Sequence, residues 1–195
     1  ITEKDLLNDK KKYSLSNNFI LSVGHFEKRK NYIRLVEAFA EINKEKKEYS
    51  LIIIGANNTE SLKVKQKIQK LKLSDCINII NSANDFEVRC IYKLCDIFVF
   101  PSLYEGFGIP ILEAMAAKCP IVLSNIEVFR EITNDECVYF DPTNVQSIKD
   151  KILSVIENDT EQKRLVEFAN KRINDFSFEK IFSDLKYIYK KIENK

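Results

Sequence analysis

Two carboxylates, Glu105 and Glu113, stand with seven residues between them in the stretch PSLYEGFGIPILEAMAAKCPIV, around a Gly-Phe-Gly turn that follows the apolar run IFVF. Two acids flanking one site could serve as the acid and base of glycoside hydrolysis. The residues around them suit a different chemistry. Pro110 marks a helix start, and a helix N-terminus offers unpaired N–H groups and partial positive charge, which favour a phosphate or diphosphate. Gly106 and Gly108 would let backbone approach a ligand closely. The acids then need another partner, and an ionised carboxylate accepts hydrogen bonds from a vicinal diol such as that of ribose or hexose. Phosphate at the helix start with diols at the flanking acids describes a nucleotide sugar.

The elements that must position these residues follow from hydrophobic patterning. Apolar runs of strand length, FILSV (19–23), LIII (51–54), INII (77–80), IFVF (97–100), PIVLS (120–124) and CVYF (137–140), alternate with longer stretches of helical period. Their continuous hydrophobicity predicts strands buried on both faces, as in a parallel sheet covered by helices. The stretch YIRLVEAFAEINKE predicts one such helix, with Ile33, Val36 and Ala40 on a stripe, Leu35, Phe39 and Ile42 beside it, and Arg34, Glu41 and Lys44 in water. Right-handed crossovers turn the series into an open, doubly wound α/β sheet of about six strands, commonly ordered 3-2-1-4-5-6, which binds ligands at the strands' carboxyl ends where the order reverses. The loops after the first and fourth strands, GHFEKRKN and PSLYEGFG, then share one crevice, and the first brings Lys28, Arg29 and Lys30 to the acids. After Asp141-Pro142 the strand pattern stops and helices near 145–158, 160–174 and 177–193 are expected, the last with Ser177 as a partial N-cap. Residues 1–17 are polar and lysine-rich, the pattern of an interdomain connector or a tail.

Composition narrows the function classes. The 195 residues, 45% of them hydrophobic, can bury a sizeable core. With 31 basic against 29 acidic residues the net charge is only +2, so no global field draws the chain to nucleic acid or to an anionic membrane, and any anion site must be local. The longest apolar runs are too short to span a bilayer and the N-terminus has no signal-peptide hydrophobic region, which reads as cytosolic. Cys76, Cys90, Cys95, Cys119 and Cys137 form no CxxC pair and His25 is the only histidine, so the cysteines are expected as small buried residues. The loop GHFEKRKN lacks the G-x-G-x-x-G fingerprint of a dinucleotide-dependent oxidoreductase. The chain begins with Ile1 rather than Met, as a piece of something longer would.

Taken in order, VGHFEKRKN, FPSLYEGFGIPILEAMA and FREITNDECVYFDPTN closely resemble the donor-binding half of family 4 retaining glycosyltransferases, over about residues 19–176. That family has two Rossmann-like domains in the GT-B arrangement. The resemblance implies a nucleotide-sugar binding domain over residues 18–176, and a C-terminal helix over 177–195 that packs back toward an N-terminal domain supplying acceptor contacts. It gives Arg29 and Lys30 the donor diphosphate, Glu105 the donor sugar near the reacting carbon, and Glu113 the nucleotide ribose. Backbone at Gly24, Gly106, Phe107, Gly108 and Ile109 would serve sugar and phosphate, while the segment Ile80 to Asn84, Asn81 included, would face the base. It implies transfer of a hexose from a GDP- or UDP-linked sugar to a glycan or lipid-linked acceptor, with a slight tilt toward GDP-mannose. No cofactor or metal is expected, since no D-x-D triplet occurs. Nucleic acid is not among the expected partners, whereas peripheral attachment of the whole protein to the inner face of the cell membrane is compatible with this reading.

The chain departs from the family's pattern at His25, at Asn81 where glycine is usual, at GANN after the second strand, and at Lys118, which stands where a helix-ending glycine is usual and so should take a left-handed conformation. Plainer roles stand beside the functional ones. Glu113 could simply complement a helix dipole, Lys28 to Lys30 could form a solvated turn, His25 could pack or cap, Tyr104 and Phe107 could support their loop, and Lys63, Lys67 and Lys70 suit a wet helix face. The alternative to an enzyme is a non-catalytic nucleotide-binding or partner-docking module completed by another polypeptide.

Overall fold

The computed structural model describes residues 1–193. Six strands, β1 (Asn18–Val23), β2 (Tyr49–Ile54), β3 (Ile77–Ile80), β4 (Ile97–Phe100), β5 (Ile121–Ser124) and β6 (Val138–Phe140), form one sheet in the order β3-β2-β1-β4-β5-β6. Every pairing is parallel. Both the α/β class and the strand order are those the sequence predicts. Strand β1 pairs directly with β4, Ile20 opposite Ile97 and Leu21 opposite Phe98, so the sheet reverses between them and their following loops are neighbours.

Period-2 alternation sends side chains to two cores, one on each face. Ile20, Leu51, Ile53, Ile97, Val99 and Val122 point to one face, which α2 (Tyr32–Glu45), α3 (Thr59–Lys70) and α7 (Val145–Ile156) cover. Leu21, Ile52, Ile54, Phe98, Phe100 and Leu123 point to the other, beneath α4 (Asp85–Leu94), α5 (Ile109–Ala117) and α6 (Glu127–Thr133). Helix α8 (Asp159–Arg172) gives Leu165 to the first core and Ala169 to the second. In α2 the buried stripe is Leu35, Val36, Phe39 and Ile42, with Ile33 and Ala40 half-buried at its margin. Cys90, Cys95 and Cys119 are buried, Cys76 and Cys137 are half-buried, and all five are free thiols.

The N-terminal residues are not a polar tail. They form α1 (Glu3–Lys12), opened by a reciprocal capping box between Thr2 and Asp5 and packed on α4. Leu15 enters the core, Lys12 and Tyr13 both bond Glu87 of α4, and the Asn78 side chain donates to the Tyr13 carbonyl at 2.9 Å. The bonds from Lys12, Tyr13 and the Asn84 backbone hold Glu87 down at a pKa of about 2. At the other end, α9 (Phe178–Glu193) is capped by the Ser177 hydroxyl, which accepts from Lys180 N–H at 3.2 Å. Phe178, Phe182, Leu185, Ile188 and Ile192 form a stripe along it that stays exposed. No helix among the described residues is long and apolar enough to cross a membrane.

Lys118 closes α5 with φ 63° and ψ 34°, the left-handed conformation expected of it, and its N–H donates back to the Ala114 and Met115 carbonyls. A side chain in that region costs on the order of 1 kcal/mol that glycine avoids. Lys118→Gly should therefore raise the midpoint of thermal unfolding by about 2–4 °C, and an unchanged or lowered midpoint would show that the exposed lysine offsets its strain elsewhere.

Candidate functional site

Strand β1 ends at Val23, and Gly24 turns the chain with φ +151°, where a Cβ would lie 3.1 Å from the Tyr32 hydroxyl and 3.3 Å from the end of the Lys30 side chain. Glycine here leaves room for the end of the Lys30 side chain. Lys28–Lys30 then make a single 3-10 turn, and Asn31, left-handed at φ 59°, admits the chain to α2. The buried Asn31 amide donates to the carbonyls of Pro101, at 3.1 Å, and Pro142, at 2.7 Å, while its oxygen accepts from Arg34 at 3.0 Å. Leu103 N–H donates to the Arg29 carbonyl at 2.7 Å. These bonds fix the loops after β1, β4 and β6 against one another.

Glu105 lies inside the junction. Its side chain is 7% exposed and that of Lys30 8%. One carboxylate oxygen accepts from Lys30 Nζ at 2.7 Å and from the buried Ser102 hydroxyl at 2.7 Å, and the other accepts from Arg29 Nη1. The ammonium of Lys30 also stands 4.5 Å over the Phe100 ring, and the Arg29 guanidinium 5.7 Å over Tyr104. Burial alone would raise the Glu105 pKa, but the bonds from Lys30 and Ser102, the Lys30 charge and the Arg29 bond outweigh it and hold the carboxyl below its usual value. The acid and the two cations, expected to act on different parts of a ligand, are thus brought together as one charge cluster. Arg29 Nε also bonds Glu27 at 2.6 Å, but Glu27 is 46% exposed, so this outer pair is weak and exchangeable.

Gly108 is the N-cap of α5 at φ +124°, where a Cβ would press on Ile111 and Phe129. Gly106 is different, because a Cβ there would meet nothing within 4 Å. It is exposed, next in the chain to Glu105 and shortly before the α5 N-terminus. Ile109 is exposed at the same helix start. Phe107 is half-exposed and meets the Phe176 ring edge-on at 6.1 Å, a supporting contact for its loop. His25 is exposed beside Gly24.

Glu113 stands one turn into α5, exposed, and helps to line a cavity of about 590 Å³ between α5 and α4. Val23 lines the same cavity, as do Asp85, Val88 and Arg89 of α4. Ile80 is buried, with its carbonyl taken by Gly55 N–H at 3.0 Å, and Asn81 is exposed at the end of β3. The cavity wall is α4 rather than these two residues. Sequence reasoning passed over Asp85, Ser102 and Asn31. Asp85 could have been found from Asn84, whose side chain caps Phe86 and Glu87 N–H and so marks the start of α4.

The sequence profile of the family described as "Glycosyl transferases group 1" matches residues 4–172. The chain belongs to that family. It is 32% identical over 151 residues to the O-antigen chain mannosyltransferase B of Escherichia coli, a match covering 76% of this chain and 40% of that protein. Among solved structures it is similar to a glycosyltransferase from Rickettsia africae, with 26% identity and a TM-score of 0.88, over 98% of this chain and 52% of that one. It also shares its fold with the C-terminal domain of a glycosyl transferase group 1 family protein from Francisella tularensis, at a TM-score of 0.74 over 86% of this chain and 90% of that domain, with 22% identity. The chain therefore spans about half the length, or less, of the longer relatives. Its doubly wound sheet is one Rossmann-like unit of the GT-B kind, and the charge cluster of this group 1 family member lies at the carboxyl ends of β1 and β4.

Proposed function

We propose that the chain is the donor-binding half of a retaining glycosyltransferase that moves a hexose from a nucleoside diphosphate sugar to a glycan or lipid-linked acceptor. The observation that carries this reading is the Arg29–Glu105–Lys30 cluster in the loops after β1 and β4, which lead through the open Gly106 into α5, the helix whose Glu113 lines a cavity. A diphosphate resting against Gly106 and the α5 amides would meet the Lys30 ammonium at Gly24 and recruit Arg29 from its exposed pair with Glu27. The nucleoside would lie in the α4–α5 cavity with Glu113 accepting from the ribose hydroxyls. As the glycosidic bond breaks, negative charge grows on the leaving diphosphate, and fixed cations with oriented N–H groups stabilise it more in the transition state than in the ground state. Glu105 would hold both cations in place and present what remains of its acceptor capacity to the sugar.

The donor sugar is read as mannose on the strength of the mannosyltransferase relative, and the sequence resemblance tilts the base toward guanine. The acceptor contacts belong to the other half of a full-length protein, on which the apolar stripe of α9 would pack. Residues 1–17 would connect the halves through α1. The chain by itself is then expected to bind GDP or UDP compounds weakly and to transfer little sugar. Family membership favours this transferase reading over a non-catalytic docking module.

A calorimetric titration of the native chain and of Glu113→Ala with GDP-mannose and UDP-glucose tests the proposal. Loss of two hydrogen bonds to a charged acceptor should weaken the better donor by roughly tenfold or more in the variant. Equal affinities would remove Glu113 from the ribose.

A further inference from the structure

We propose that Tyr92 is a positioning residue for donor recognition, one that fixes the Glu113 carboxylate in the orientation that reads the ribose diol. The inference rests on the reading of Glu113 above and deepens it. Tyr92 lies on α4, whose Asp85, Val88 and Arg89 line the cavity, but its own ring is in the core beneath that wall and only 1% of the residue is exposed. The ring packs at 5.3 Å from Phe98. Its hydroxyl donates to Glu113 Oε2 at 3.0 Å, with the Pro110 carbonyl at 3.4 Å. A buried tyrosine hydroxyl needs a partner, and here that partner is a carboxylate at the edge of solvent.

The geometry divides the carboxylate between two tasks. A glutamate on an exposed helix face has several staggered rotamers of similar energy, so an unrestrained Glu113 would present its oxygens to the cavity only part of the time. The bond from Tyr92 holds Oε2 against α4 and leaves Oε1 for a ligand. Because burial and the neighbouring Glu113 charge push the Tyr92 pKa well up, the hydroxyl remains a donor across the working pH range. The pair also bridges α4 and α5, the two walls of the cavity.

Tyr92→Phe removes the donor and keeps the packed ring. The test titrates the native chain, Tyr92→Phe and Glu113→Ala with GDP and UDP, and with the 2′,3′-dideoxy form of each, by amide chemical-shift changes that report millimolar binding. The native chain should prefer the better ribonucleotide over its dideoxy form by about tenfold, the low end of what a single hydrogen bond to a charged group contributes. In Tyr92→Phe the preference should fall to about two- to threefold, with unchanged affinity for the dideoxy form. Glu113→Ala should show no preference. If Tyr92→Phe keeps the native preference, or loses affinity for both forms equally, Tyr92 is a packing residue and the proposal fails. A native chain that does not distinguish the two forms would overturn the ribose reading itself, and the role of Tyr92 with it. The dideoxy affinity is also the control for folding, since a disordered cavity would lose it.

Discussion

Glu105→Ala should destabilise the fold by about 3–5 kcal/mol, the usual cost of removing one partner from a buried charge pair. The ammonium of Lys30, 8% exposed, would keep only the Phe100 ring beneath it, and Ser102 would lose its acceptor. Glu105→Gln should recover part of the loss, because it restores an acceptor for Ser102 without the charge. The effect depends on pH with a definite sign. The folded-state pKa of Glu105 is held below 4.5, so the native state binds fewer protons than the unfolded one as that value is approached. Its contribution is complete above about pH 4.5 and is lost as pH falls through the lower folded value. Urea unfolding should show the gap between native and Glu105→Gln shrinking below about pH 4.5, and a gap constant from pH 7 to pH 3 would contradict the charge-cluster role. The double variant Lys30→Met with Glu105→Leu should regain stability while losing diphosphate affinity, which separates folding from binding.

Arg29→Ala carries the second large effect, and it falls on binding rather than folding. Arg29 is 24% exposed, its outer partner Glu27 is solvated, and Lys30 still neutralises Glu105 when it is gone. Stability should change by about 1 kcal/mol or less. Affinity for a nucleoside diphosphate should fall by roughly 10- to 100-fold, the worth of charge-assisted hydrogen bonds to phosphate, and affinity for the parent nucleoside should not change. Titrating GDP and guanosine into the native chain and the variant measures both. A parallel loss for diphosphate and nucleoside would mean that Arg29 shapes the loop and does not touch phosphate.

Much of the architecture was legible because it rests on local, repeated signals. Six continuous apolar runs separated by amphipathic stretches leave few alternatives to a doubly wound sheet, and the reversal between β1 and β4 follows from its common order. The left-handed backbone of Lys118 was legible from the resemblance instead, since a glycine usually ends this helix in the family's pattern. Helix α1 did not announce itself. EKDLLNDKKK is polar along most of its length, and what docks it is Leu15 together with a pairing of Lys12 and Tyr13 with Glu87, about 75 positions away along the chain.

The site was legible in its members and less so in their relations. Arg29, Lys30, Glu105 and Glu113 were each singled out by type and place. That Glu105 would turn inward to neutralise both cations depends on a through-space arrangement, including the Phe100 ring beneath Lys30 and the Ser102 hydroxyl behind it. The bond from Tyr92 to Glu113 joins two helices across 21 positions and follows from no pattern within either. Asn31 joins three loops through a single amide.

The central claim is that the crevice between the loops after β1 and β4 holds a nucleotide diphosphate, with the nucleoside toward α4. Amide chemical shifts of the native chain, followed while GDP is added, test it most directly. The expected changes fall on Gly24, Arg29 and Lys30, on Gly106 to Ile109, and on Asp85 and Glu113, and those at Gly106 to Ile109 are absent when guanosine is added instead. Changes confined to other surfaces, or the same pattern from guanosine as from GDP, would contradict it.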